Sequence, residues 1–397
     1  MSKAWVLRKI GEIRPEDVEI PQPASGEVRI RVAYAGICGS DIPRIYQTGA
    51  HRMPLIPGHE FSGLVDEVGA GVQAEIVGRR VACFPKIACG KCEHCRTGRP
   101  EYCQSYDYVG SRRDGAFAEY VTMPAANLMC LPDSVSLEEA AMLEPFAVAA
   151  NAVRKGMASE TAVEAPAQDG WTVADGKSDA ACGDAAGADV VRGDVADESR
   201  QSDPVVVCGL GTIGVMVVEL LVLEGYRNLY VLGNKPAQRE RVIALGVPAE
   251  HYLDISQEDP VQWLDRMAGG ACTYYECVGK NECIAWGMDA LRPGGSLILV
   301  GNPHSDMTFD RDTWWKLLRN QIRVVGIWNS TFSADMPADG RPDDWHYVLE
   351  RIAVERLHPA ELITQRLAPE ELERGLLIMR DKTEDYCKVM VRFLEET

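Results

Sequence analysis

With 397 residues and a formal net charge of −18, the chain exceeds what one hydrophobic core holds, since single cores stop growing near roughly 250–300 residues. Its 46% hydrophobic and 25% charged residues exclude global disorder, and the carboxylate excess excludes nucleic acid and anionic membrane as partners. The opening MSKAWVLRKIGE lacks the apolar stretch of a secretory signal, which predicts a cytoplasmic location.

The first 150 residues read as β-rich, with strand-like runs at Glu27–Tyr34, Gly63–Val68 and Arg80–Phe84 between Gly and Pro punctuation. Cys38 in GICGSD, His59 and Glu60 in PGHEFSG, and Glu144 in MLEPFAV are all zinc-ligand types. Three protein ligands and an open position are what a catalytic zinc requires. Spacing does not establish that these residues converge. Singly they read as a buried thiol, a loop histidine and a capping or salt-bridged glutamate.

Between them, Cys89, Cys92, Cys95 and Cys103 form C-x2-C-x2-C-x7-C. Such short spacings let one loop fold around a tetrahedral ion, and four thiolates leave no position for water, so a structural zinc is predicted. His94 finds no vacancy in that shell and reads as solvent-facing. Thirteen cysteines without a secretion signal point away from disulfides and toward metal thiolates and small buried hydrophobes.

The stretch Met157–Asp203 fits neither a sheet nor a helix pattern. It is rich in Ala, Asp and Gly, and holds eleven acidic residues against three basic ones, so it carries −8 of the net charge. Its apolar content is too small to offset chain entropy, which predicts an acidic, mobile surface insertion.

From Pro204 the pattern becomes an apolar β-branched run, a glycine turn and a helix, then a strand at Leu229–Leu232 and another helix. This alternation predicts βαβ units on a parallel sheet, with later strands at Ser296–Gly301 and Ile322–Trp328. The run Val205–Leu223 contains three glycines and Glu219, and reads as strand, turn and helix rather than a membrane span. The turn itself, Gly209, Leu210, Gly211, Thr212, Ile213 and Gly214, is G-x-G-x-x-G after a strand and before a helix, a dinucleotide-binding signal. At the end of the next strand, where an NAD enzyme places Asp or Glu on the ribose hydroxyls, stand Gly233, Asn234 and Lys235, with Arg239 and Arg241 near. Without a carboxylate to repel a 2′-phosphate, NADP(H) is favoured over NAD(H).

AGICGSD, PGHEFSGLVDEVGAGV, the four-cysteine segment, DGAFAEYV, AAMLEPFAVA, GLGTIG and LITQRLAPEELERGL together make the chain resemble the zinc-containing medium-chain dehydrogenase/reductase family, outside Met157–Asp203. CGSDIPRIYQTGAH and YDYVGSRRDGAFAEY are most similar to its polyol and polyol-phosphate dehydrogenases. The resemblance implies an α/β fold, in which a β-rich GroES-like catalytic domain accompanies a Rossmann doubly wound parallel-sheet domain. The first would be residues 1–150 with the zinc lobe 89–103, completed by 331–397; the second would be 151–330, carrying the insertion 157–203.

It also implies two zinc ions per chain, with Cys38, His59 and Glu144 around the catalytic one. Glu60 would be a neighbour or exchangeable fourth ligand, and Ser40 the proton relay. Substrates would be small and polyol-like, and the assembly a homodimer or homotetramer. Arg44, Arg112 and Arg113 fall in the stretches most like the polyol-phosphate enzymes and are candidate phosphate donors; otherwise they are surface arginines paired to Asp41 or Asp114. Alternative readings are a dehydrogenase of an unphosphorylated sugar acid or an amino alcohol such as threonine, and a catalytically silent NADP(H)-binding regulator.

Overall fold

The computed structural model describes residues 1–158, 201–334, 336 and 341–394. The acidic stretch read as an insertion lies, from 159 to 200, outside the described residues. The described chain divides into two compact units, one of residues 1–145 with 331–394, the other of residues 146–158 with 201–330.

The first unit is organised by Glu27–Ile37, its longest strand at 11 residues. Val28, Ile30 and Val32 are buried while Arg31 is exposed, the period-two signature of a strand with one face on a core. Along one edge this strand pairs antiparallel with Glu60–Val68. Its other edge is shared, with Tyr120–Pro124 on residues 27–31 and Lys388–Arg392 on residues 34–37. Ile363–Leu367 extends the sheet beyond Lys388–Arg392, and Arg80–Cys83 and Leu128–Cys130 extend it beyond Glu60–Val68. Phe61, Val65, Val81, Phe117, Val121, Met123, Val389 and Val391 fill the core against it. Cys38, Glu60 and Lys388 therefore lie at strand ends on one side of the sheet: Gly36 pairs with Glu60, and Ile37 with Val389.

The second unit is a six-stranded parallel sheet. Its strands run in the order Tyr252–Asp254, Leu229–Gly233, Val205–Cys208, Ala271–Glu276, Leu291–Leu299, Arg323–Gly326. Numbered along the chain this is 3-2-1-4-5-6, the doubly wound order with its switch point between the first and fourth strands. Val205–Cys208 and Leu229–Gly233 are buried at every residue, as strands covered on both faces must be. Thr212–Leu223 follows the first strand as a helix with no exposed residue and its middle buried from Gly214 to Val218. No helix among the described residues is long and apolar enough to cross a membrane.

Two strands differ in extent from their sequence patterns. Leu291–Leu299 begins five residues before Ser296, because it runs on through Gly294 and Gly295. Arg323–Gly326 is shorter than Ile322–Trp328, since an edge strand has one neighbour to extend it. Among the described residues, eleven cysteines are free thiols, but Cys130 is disulfide-bonded. The expectation of a disulfide-free chain fails there, because thiol pairing depends on the distance that folding sets.

Asn127 supports the base of the cysteine lobe, donating from Nδ2 to the carbonyls of Phe84 and Lys86, each at 2.9 Å. Asn127→Ala leaves two buried acceptors unmet and should lower unfolding free energy by about 1–3 kcal/mol, read from urea denaturation midpoints.

Candidate functional site

In the cysteine lobe, the sulfurs of Cys89, Cys92, Cys95 and Cys103 all lie within 4.8 Å of one another. Cys92 caps the short helix Glu93–Arg96, which turns Cys95 back toward it, and those two sulfurs are 3.4 Å apart. Thiolates about 2.3 Å from a tetrahedral zinc stand ~3.8 Å apart, so the cluster fits that ion in donor type and spread. Backbone N–H groups of Lys91 and Cys92 lower the Cys89 thiol to about 6, whereas burial raises Cys95 to about 12. His94 lies against the Tyr102 ring at 5.9 Å and is not among the clustered donors. Lys86 is buried beneath the lobe, its Nζ on the Glu101 carbonyl and 4.8 Å from the Tyr106 ring centroid.

The second cluster sits at the sheet end. Cys38, His59 and Glu60 bring Sγ, a ring nitrogen and a carboxylate oxygen within 4.8 Å of one another. Glu144, in the first turn of Leu143–Met157, lies outside that set but close enough for its charge to act on Cys38 and for those of His59 and Glu60 to act on it. Tyr108 donates its hydroxyl to Glu144 Oε1 at 3.4 Å, and its ring meets His59 edge-on at 5.7 Å. Ser40 Oγ donates to Cys38 Sγ at 3.2 Å. Asp41, with no solvent exposure, accepts from Cys38 N–H at 3.1 Å and Arg44 Nη1 at 2.5 Å, and lies 3.5 Å from His59 Nδ1. Glu60 is ion-paired to Lys388, which also donates to the Ile37 carbonyl at 3.2 Å; both ends of the pair are 2% exposed.

The electrostatics of this end favour a bound cation. Burial, with the Glu60 and Asp41 carboxylates, raises the Cys38 thiol far above its ordinary range. Burial likewise pushes the Glu144 carboxyl up to about 7, with His59 pulling the other way and Glu60 adding to the rise. Burial opposes the charge on Lys388, but Glu60 and Cys38 outweigh it and leave its ammonium favoured. A dication among these donors would reverse the cost of ionising them, and their chemistry fits zinc.

The candidate substrate arginines are separated by their contacts. Arg44 is held by Asp41, and Arg113 donates to Glu27 at 2.9 Å and to Thr122. Arg112 lies over the Tyr106 ring at 4.6 Å. Sequence reasoning missed Tyr108 and Lys388. Tyr108 lay inside a recognised motif, whereas a lysine heading the apolar KVMVR strand carried no signal of its partner 328 residues away.

In the parallel-sheet unit, Gly209 has φ +91°, and a Cβ on Gly214 would lie 1.8 Å from its carbonyl oxygen. Gly211 caps the Thr212–Leu223 helix and has open space where a Cβ would be. Gly233 ends its strand, and a Cβ there would meet Gln238 Oε1, Leu210 Cδ1 and Tyr252 Cε2, each at 3.0 Å. Gln238 Oε1 accepts from Asn234 N–H at 3.1 Å, and the Tyr252 hydroxyl donates to the Lys235 carbonyl at 3.3 Å. Lys235 caps the helix Pro236–Ala244, which carries Arg239.

Residues 24–133 match the alcohol dehydrogenase GroES-like domain, and residues 212–352 match the zinc-binding dehydrogenase family. Galactitol 1-phosphate 5-dehydrogenase of Escherichia coli (strain K12) is 27% identical over 357 residues, 90% of each chain. Sorbitol dehydrogenase of Bacillus subtilis (strain 168) is 28% identical over 375 residues, 90% of this chain and 92% of its own. The crystal structure of galactitol-1-phosphate dehydrogenase from Escherichia coli superposes with a TM-score of 0.79 at 26% identity, covering 98% of this chain and 100% of that one.

Removing the ammonium at 388 leaves Glu60 buried and unpaired. Lys388→Met should cost about 3–5 kcal/mol of stability, measured by chemical denaturation of the metal-stripped protein, and a loss under about 1 kcal/mol would refute the pairing.

Proposed function

The chain belongs to the zinc-containing medium-chain dehydrogenase/reductase family and is an alcohol dehydrogenase of it; from that premise we propose that it transfers a hydride between a secondary hydroxyl or carbonyl of a polyol or polyol phosphate and NADP(H). The observation that carries this reading is the meeting of Cys38, His59 and Glu60 at one sheet end with Glu144 beside them.

Cys38, His59 and Glu144 would hold the catalytic zinc, and Cys89, Cys92, Cys95 and Cys103 a structural one. When bound, the catalytic ion supplies Lewis-acid polarisation of the substrate oxygen. Ser40 Oγ, which donates to Cys38 Sγ here, would accept the substrate's hydroxyl proton while releasing its own to solvent water. Asp41 Oδ1 stands 3.5 Å from His59 Nδ1, which has no hydrogen-bond partner among the described residues; an Asp41 carboxylate accepting that N–H would leave Nε2 as the ring's metal donor. Glu60 lies within the cluster here but is paired to Lys388, which would leave the third ligand position to Glu144 when the ion is bound.

In the other unit, the N–H groups opening the Thr212–Leu223 helix take the cofactor's pyrophosphate, with Gly211 permitting close approach. Asn234, Lys235 and Arg239, following Gly233, suit a 2′-phosphate. An unphosphorylated polyol is the second reading, favoured by the engagement of Arg44 with Asp41 and Arg113 with Glu27. A second copy of the chain would join at the edge strand Arg323–Gly326, beside which Trp314, Trp315, Leu318, Val324 and Trp328 are exposed.

Two zinc ions per chain are expected by plasma emission spectrometry. Cys38→Ser should stay folded, retain the structural ion and lose turnover by ~1000-fold or more, the scale of several kcal/mol of lost charge stabilisation. Full turnover in that variant would sink the metal assignment. Polyols and polyol phosphates assayed separately with NAD and NADP decide the rest: faster turnover with NADP supports the cofactor reading, and equal rates in Arg44 and Arg112 variants remove the phosphate. A monomer in sedimentation velocity would overturn the edge-strand assembly.

A further inference from the structure

Glu276 ends the strand Ala271–Glu276, which pairs with the first strand of the parallel sheet so that Glu276 stands opposite Cys208. It has no solvent exposure. Charged residues are rarely buried to that degree unless strongly partnered, and Glu276 finds its partners in the backbone. Oε1 accepts the N–H groups of Val278 and Gly279, both at 2.8 Å, while its main-chain oxygen accepts those of Val300 and Gly301. Oε2 is buried with no hydrogen-bond partner.

The turn that this carboxylate pins is the one the glycine turn leans on. A Cβ on Gly209 would lie 2.3 Å from Val278 Cγ2, and one on Gly214 would lie 3.5 Å from Cys277 Cβ. Cys277 N–H donates to the Cys208 carbonyl at 2.9 Å. Behind it, a Cβ on Gly279 would lie 1.8 Å from the Asn302 carbonyl oxygen, so the 277–279 turn has no room to retreat. A carboxylate suits two amides at once, since bonds to an ionised acceptor are shorter and about twice as strong as neutral ones.

We propose that Glu276 is a positioning residue for the dinucleotide: by holding residues 277–279 it sets the curvature of the Gly209–Gly214 turn on which the cofactor binds. This rests on the reading of Gly209–Gly214 as a dinucleotide site. It adds a determinant of cofactor affinity that is itself buried and reaches the cofactor only through backbone.

The test titrates purified, zinc-loaded protein with NADPH and with NADH, following nicotinamide fluorescence. Glu276→Ala should raise Kd for the cofactor that wild type binds by about tenfold. Glu276→Gln, keeping one acceptor oxygen without the charge, should raise it by about threefold. KM for the cofactor should follow Kd while kcat at saturation and zinc content change by less than about twofold. An unchanged Kd in a folded Glu276→Ala overturns the inference. So does an unfolded Glu276→Ala beside a Glu276→Gln that binds as wild type, because the carboxylate then serves the fold alone. If wild type binds neither cofactor, the dinucleotide reading fails first and takes the inference with it; that failure is present before any substitution.

Discussion

The ion pair of Lys388 with Glu60 is the constraint around which the candidate metal-binding end of the first unit is arranged. It joins the starts of two strands that flank Glu27–Ile37 on opposite edges, so one contact fixes three strand ends. Gly36 must stand between them: a Cβ there would lie 2.6 Å from Glu60 Oε2 and 2.8 Å from Lys388 Cε. Once Gly36, Glu60 and Lys388 are in register, Cys38 follows two residues later and His59 one residue before Glu60. The convergence of the metal-ligand types is thus a consequence of sheet register, which a one-residue slip would destroy by turning every side chain to the other face.

A common electrostatic logic links this end to the cysteine lobe. Both gather thiols that are buried or half-buried, and both place a buried lysine next to them. Burial opposes the charge on Lys86, while Cys103, Glu101, Cys95 and Cys92 favour it. Lys388 stands likewise toward Glu60, Cys38 and Glu144. Four thiolates around a dication retain net negative charge, which a nearby buried ammonium offsets at low dielectric. A mixed set of one thiolate, one imidazole and one carboxylate is neutral with zinc, and its lysine instead answers the additional carboxylate, Glu60. The two lysines differ in their roles because the two donor sets differ in charge.

How much of this was legible in the sequence depends on how local each signal was. The cysteine lobe is written in 15 consecutive residues from Cys89 to Cys103, and its sulfurs do converge. The strand, glycine turn and helix from Val205 to Leu223 are equally local, and the parallel sheet follows from their repetition. Cys38, His59 and Glu60 could be named as ligand types, but their meeting depends on pairing between strands that spacing does not encode. Glu144 was named with them and stands beside the set instead of within it. Lys388 and Glu60 are 328 residues apart, and the Tyr108 hydroxyl reaches a glutamate 36 residues on. Such contacts carry no periodic or compositional mark. The start of Leu291–Leu299 was hidden for the opposite reason: Pro293, Gly294 and Gly295 imitate a turn inside a strand.

Gly233 shows how an absence can be structural. Reading only the sequence, a glycine where an acidic residue would contact the ribose is a missing charge, which favours a 2′-phosphate. In the fold, that place is filled by Gln238, Leu210 and Tyr252. Gln238 Oε1 accepts the Asn234 N–H, and the Tyr252 hydroxyl donates to the Lys235 carbonyl, so the residues that crowd Gly233 also hold the segment after it. An acidic side chain introduced at 233 would have to displace the contacts that order Asn234 and Lys235. Charge and shape therefore act in one direction at this turn. The missing carboxylate removes repulsion toward a 2′-phosphate, and the packing that replaces it places a lysine at the start of the next helix.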